Sequence, residues 1–338
     1  QLQDIINQYN IDISELTIPY RGENYSFYEL QEKYLSGEIT YNEYYQFVVS
    51  YYKGISSLST DKLFNIVTIN NSIAEKLGYE SYVDYAYSNV FSRDYSPEDI
   101  EKVYEFVKEY IVPAKQKIDA ILERDDVRYM LSYAINNSPH TLKDYDAVID
   151  RFTSDISSDM NKAYRTMKQY DLINMGNSPT RQQVSYTTML YTYSVPFMFV
   201  TTYDTLDDIT TFSHEFGHFY AFMKNGAESD NVLDVNEMQS QISELLFIDY
   251  YEIEDKQKEI LELSIISDKL YTIISGCLQD EFLRIVYDTD TENLTVDKNT
   301  YLNSLYGSLS EEYGVSDMYP GYGQYLWAAI YHDFALPF

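Results

Sequence analysis

Thr210-Thr211-Phe212-Ser213-His214-Glu215-Phe216-Gly217-His218 carries two histidines four residues apart with a glutamate directly after the first. On a helix, positions four apart share a face, so His214 and His218 can aim both imidazoles at one metal ion. Glu215 then points away from the ion and toward a water beside it, where a carboxylate can act as general base. The chain holds only 4 histidines. A chance H-E-x-x-H match is expected in roughly one of a few hundred sequences of this composition.

A zinc site of this kind needs a third protein ligand and keeps its fourth position open. Downstream, Lys224-Asn225-Gly226 predicts a helix end, a polar loop runs through Asp230, and a second helical pattern starts near Val232. Two helices joined in this way can pack antiparallel. Acidic candidates after the turn are Glu228, Asp230, Asp234, Glu237 and Glu244. Spacing favours Glu237, 19 residues beyond His218 and about one and a half turns into the second helix. Glu244 lies on the same face and is placed to orient a ligand histidine through its other ring nitrogen.

Away from the motif, helical periodicity dominates. Ser96-Pro97 reads as a helix start, followed by Ile100, Val103, Val107, Tyr110, Ile111 and Ala114 at helical spacing, with a kink expected at Pro113. Similar patterns cover Tyr41–Tyr52, Leu142–Met167 and Gln257–Tyr287, broken at Gly54, Gly78, Gly176-Asn177-Ser178-Pro179 and Tyr319-Pro320-Gly321. The exception is Val184–Thr202, rich in Tyr, Thr, Val and Phe, which reads as two short strands just before the motif helix. The fold class is therefore mainly α with a small β-sheet beside the metal helix.

The 54 acidic and 24 basic side chains give a formal charge of −30, which argues against nucleic-acid and anionic-membrane partners. The lone Cys277 excludes an internal disulfide and a multi-cysteine metal site and reads as a core residue. No run of about 18 uncharged apolar residues occurs, and no basic-then-apolar leader is visible. A cytoplasmic location is the favoured reading.

Several segments together resemble the thimet oligopeptidase and oligoendopeptidase F family of zinc peptidases, nearest its oligoendopeptidase F-like bacterial branch. They are Pro196-Phe197-Met198-Phe199, Thr205-Leu206-Asp207-Asp208, the H-E-x-x-H run, and Glu237-Met238-Gln239-Ser240-Gln241-Ile242-Ser243-Glu244, which has the family's E-x-x-S-x-x-x-E form. Weaker likenesses extend the match over about residues 60–338, leaving 1–60 assigned only as helical. The resemblance implies one zinc ion held by His214, His218 and Glu237, with Glu215 as base. It implies a zincin-like oligopeptidase fold with a deep channel between two helical lobes, expected here as an N-terminal lobe over 1–180 and a catalytic lobe over 181–338. The implied substrate is a short unfolded oligopeptide, with Phe197–Thr202 offering it an edge strand.

Toward the end of the chain, family members carry a histidine and then a tyrosine-rich P-F-Y-Y-x-x-D-Y-A segment whose hydroxyls stabilise the oxyanion. Trp327, His332 and Pro337-Phe338 align with the start of that pattern, which gives His332 the family histidine's substrate-contacting role. The tyrosines would then fall beyond Phe338, in a following segment or a second chain. A second registration uses Tyr322 and Tyr325, before Leu326-Trp327, as the hydroxyl donors. The alternative to an active endopeptidase is a zinc-containing peptide-binding protein or inactive fragment that lacks these donors.

Overall fold

The computed structural model of the protein describes residues 1–137, 144–178, 184–226 and 233–338. Most of these residues are helical, and the helix starts are written in local chemistry. Ser26, Thr40 and Ser96 each accept the backbone N–H three residues on, while Glu29, Glu43 and Asp99 return the bond to the cap. Gly78, at φ 89°, ends the 37-residue helix Tyr41–Leu77 in a left-handed conformation that costs glycine little.

The chain forms two compact units, Gln1–Ala114 with Tyr271–Phe338, and Lys115–Leu270. This differs from a single division at 180, a position inside the second unit. The physical reason is the helix Asp255–Tyr287, whose later turns give Ile274, Leu278, Phe282, Leu283 and Val286 to the same core as Leu63, Phe64 and Val67. Cys277 packs at the margin of that core, and burial lifts its thiol to about 11.

In the first unit the helix Pro97–Phe106 runs into a wide turn of π type over Val107–Ile111. That turn lets Val107 and Val112, five apart, both be buried, whereas Val103 and Tyr110 face solvent. The first unit also holds a hairpin within the stretch read as helical, β1 (Thr17–Tyr20) against β2 (Glu23–Ser26). Its two-residue turn, Arg21-Gly22, has both φ angles positive, which matches the twist of a tight hairpin.

In the second unit Leu142–Met167 is two helices where described, Asp146–Ile156 and Ser158–Gln169, because Ser157 stops one and caps the next. Leu142 and Pro179 lie outside the described residues. A three-stranded sheet has the order β3 (Ile173–Gly176), β5 (Val195–Thr201), β4 (Tyr186–Leu190). The segment expected to offer an edge therefore lies in the middle of the sheet. β5 pairs in parallel with β3 on one side and antiparallel with β4 on the other, so its ladder is already occupied. Among the described residues, the edge on the motif side is β4.

Among the described residues no helix is long and apolar enough to cross a membrane.

Candidate metal centre

The motif lies on the helix Leu206–Asn225. Its start is fixed by Thr205 as N-cap and by the buried Asp208 carboxylate, which accepts the N–H groups of Tyr203 at 2.9 Å and Asp204 at 2.7 Å. Gly226 follows its last turn with φ 68°. Phe212, Phe216 and Phe219 are buried in the second unit's core with Tyr164, Met198, Val200 and Phe247. Burying that face sets the helix rotation and leaves His214 and His218 on the flank that meets the next helix, Leu233–Phe247.

The two helices touch through their smallest residues. A Cβ built on Gly217 would lie 2.6 Å from Ser240 Cα and 2.7 Å from the Gln239 carbonyl oxygen. One turn earlier, the hydroxyls of Ser213 and Ser243 meet at 3.3 Å. Close contact of this kind is what allows Glu237, on the second helix, to reach both histidines.

His214 Nε2 lies 3.3 Å from one Glu237 oxygen, and His218 Nε2 lies 3.4 Å from the other. One donor atom from each residue falls within 4.8 Å of the others. Donors about 2.0–2.1 Å from a tetrahedral zinc are about 3.3–3.4 Å apart, so this set of two imidazoles and one carboxylate suits a divalent cation. Ser240 donates its hydroxyl to Glu237 Oε2 at 2.8 Å and steadies the carboxylate. Glu228, Asp230 and the side chain of Asp234 lie outside the described residues.

The electrostatics favour positive charge at the same point. Burial works against a protonated His214, but hydrogen bonds with Glu237 and Glu244 outweigh it and lift the ring to about 9. The two imidazoles in turn hold the Glu237 carboxyl far below the usual carboxylate range. On its other side, His214 Nδ1 meets Glu244 Oε1 at 2.6 Å. Glu215 is buried beside them, and burial raises its carboxyl. The Thr187 hydroxyl, arriving from β4, donates to Glu215 Oε2 at 2.8 Å and opposes that rise.

Solved structures share this architecture. One assigned as an oligoendopeptidase F superposes with a TM-score of 0.72 at 20% identity over 100% of this chain and 62% of that one. The chain has the oligoendopeptidase F fold. PZ peptidase A, solved with an inhibitor, gives a TM-score of 0.68 at 17% identity, covering 100% of this chain and 63% of its own. Oligoendopeptidase-F from Enterococcus faecium gives 0.59 at 14% identity, over 99% of this chain and 57% of its own. The chain thus spans less than two thirds of the length of these structures. No family model and no curated protein matches it.

On this fold the structure brings together His214, Glu215, His218 and Glu237, all in the second unit. His332 belongs to the first unit, exposed on the short helix Tyr331–Ala335 between buried Trp327 and buried Asp333. Tyr322 is in the same unit, stacked on Tyr52 at 5.0 Å.

Three site residues escape a reading of the sequence alone: Gly217, Thr187 and Lys269, whose ammonium lies 2.7 Å from Glu244. Gly217 left a signal, since a glycine inside a helix costs about 1 kcal/mol relative to alanine and so suggests a close neighbour. Thr187 and Lys269 left none.

Gly217→Ala is expected to destabilise the protein by about 1–3 kcal/mol, because overpacking exceeds the gain in helix propensity. Urea denaturation checks this, and an unchanged or higher midpoint would remove the close-contact reading.

Proposed function

We propose that the protein is a zinc-dependent endopeptidase acting on short, unfolded peptides, with Glu215 as its general base. The observation that supports this best is the buried Glu215 carboxylate, tethered by Thr187 and carried on the same helix as two of the three metal donors. The fold shared with oligoendopeptidase F structures supports the same class. His214 Nε2, His218 Nε2 and one or both Glu237 oxygens would hold the ion. Zinc so placed supplies Lewis acidity and makes water a stronger acid.

The protein's own part is proton handling and alignment. Glu215 takes the proton released as water attacks the peptide carbonyl, then hands it to the leaving amine. Its raised pKa suits a group that must both accept and release a proton. Thr187 donates to Oε2 and so restrains the carboxylate that carries this proton. An extended peptide would add to the sheet along β4, the edge strand that carries Thr187.

Two outcomes test this reading. An internally quenched fluorogenic peptide should be cleaved in a chelator-sensitive manner, and Glu215→Gln should lower kcat by about 10³-fold with bound zinc unchanged. Chelator-insensitive cleavage, or a Glu215→Gln variant of normal activity, would refute it.

A third outcome concerns pH. Removing a donor from a carboxylate raises its pKa, and a general base works only above that pKa. Thr187→Val should therefore shift the acid limb of kcat/KM upward by about one unit, leaving the alkaline limb in place. An acid limb that stays put or moves downward would show that Thr187 does not tune Glu215.

A further inference from the structure

We infer that Lys269 is a positioning residue for the metal centre, acting through Glu244 on the orientation of His214. The inference rests on the proposed metal site and extends it to a third helix.

The carboxylate of Glu244 is where three helices meet. It stands on the helix Leu233–Phe247, receives His214 Nδ1 from the motif helix at 2.6 Å, and receives Lys269 Nζ from the helix Asp255–Tyr287. The lysine lies 2.7 Å from Oε1 and 2.7 Å from Oε2, so one ammonium spans both oxygens and limits rotation of the carboxylate. The side chain of Glu244 is only 6% exposed and that of Lys269 21%. This is not a solvated surface pair, in which two flexible ends meet at little benefit.

A buried carboxylate with a single partner could rotate or withdraw toward water. With the ammonium in place it holds one geometry, and the His214 ring bonded to it holds one plane. Nε2 of that ring is then aimed at the position shared by His218 Nε2 and Glu237. The neighbouring turn of the long helix is itself anchored, since the Ser267 hydroxyl donates to Asp119. The lysine therefore arrives from a fixed backbone. A merely structural lysine would stabilise the packing of the three helices but would not alter metal affinity once they had packed.

The test is a double-mutant cycle read as zinc affinity. Wild type, Lys269→Met, Glu244→Gln and the double variant would each be titrated with zinc against a chromophoric chelator, with the melting temperature of each followed in parallel. Lys269→Met is expected to weaken zinc binding about tenfold, as is Glu244→Gln. Adding Lys269→Met to Glu244→Gln should weaken it no further, because the lysine acts only through the carboxylate. The inference is overturned if Lys269→Met binds zinc as tightly as wild type, or if it costs as much in the Glu244→Gln background as in the wild type. If Lys269→Met does not fold, Lys269→Gln, which carries no charge and cannot span both Glu244 oxygens as the ammonium does, replaces it in both backgrounds and is read by the same two criteria. Wild-type protein that fails to bind zinc would instead overturn the metal site itself, an outcome separate from the other two.

Discussion

The candidate metal centre depends on a backbone contact, the meeting of Gly217 with Gln239 and Ser240. Histidines four apart on one helix define a direction but cannot close a metal site. Closure needs a third donor from another element, and Glu237 is near enough only because the two helices approach without a side chain between them. The serines at 213, 240 and 243 continue the small-residue seam, and each bonds across it or to the ligand it supports. The buried phenylalanine face fixes the rotation of the motif helix, while the seam fixes its distance from the next helix. Both degrees of freedom must be set before any chemistry is possible.

Around that contact, charge is arranged in layers. Glu237 and Glu244 bracket His214 from its two ring nitrogens, and Glu215 lies alongside. A point that favours protonation of an imidazole despite burial is equally a point that favours a divalent cation. Lys269 answers the charge of Glu244, and Thr187 partly offsets the burial of Glu215. In a chain of formal charge −30 these acidic groups do not stand out by composition. What distinguishes them is that all three converge on one imidazole.

Much of this was legible in the sequence because it is local. The mainly α class, the motif helix with its end at Asn225-Gly226, and the strands before it follow from periodicity, capping and turn residues. The place of Glu237 beside both histidines was legible through spacing along a second helix and through the family resemblance. What was not legible is non-local. The central place of β5 depends on β3, a four-residue strand too short to announce itself. The hairpin at Thr17–Ser26 turns on Arg21-Gly22, a weaker signal than Asn-Gly. The return of residues 271–338 to the first unit is decided by which core the later turns of a 33-residue helix bury. Lys269 is separated from Glu244 by 25 residues. Within its own helix it looks like any other solvated lysine.

The most direct measurement is anomalous diffraction at the zinc absorption edge from crystals of the full chain grown with equimolar zinc. The expected result is one anomalous peak per chain, bounded by His214 Nε2, His218 Nε2 and the Glu237 carboxylate. A map with no peak among those three groups, or with zinc held elsewhere while they remain unliganded, would contradict the assignment of this centre.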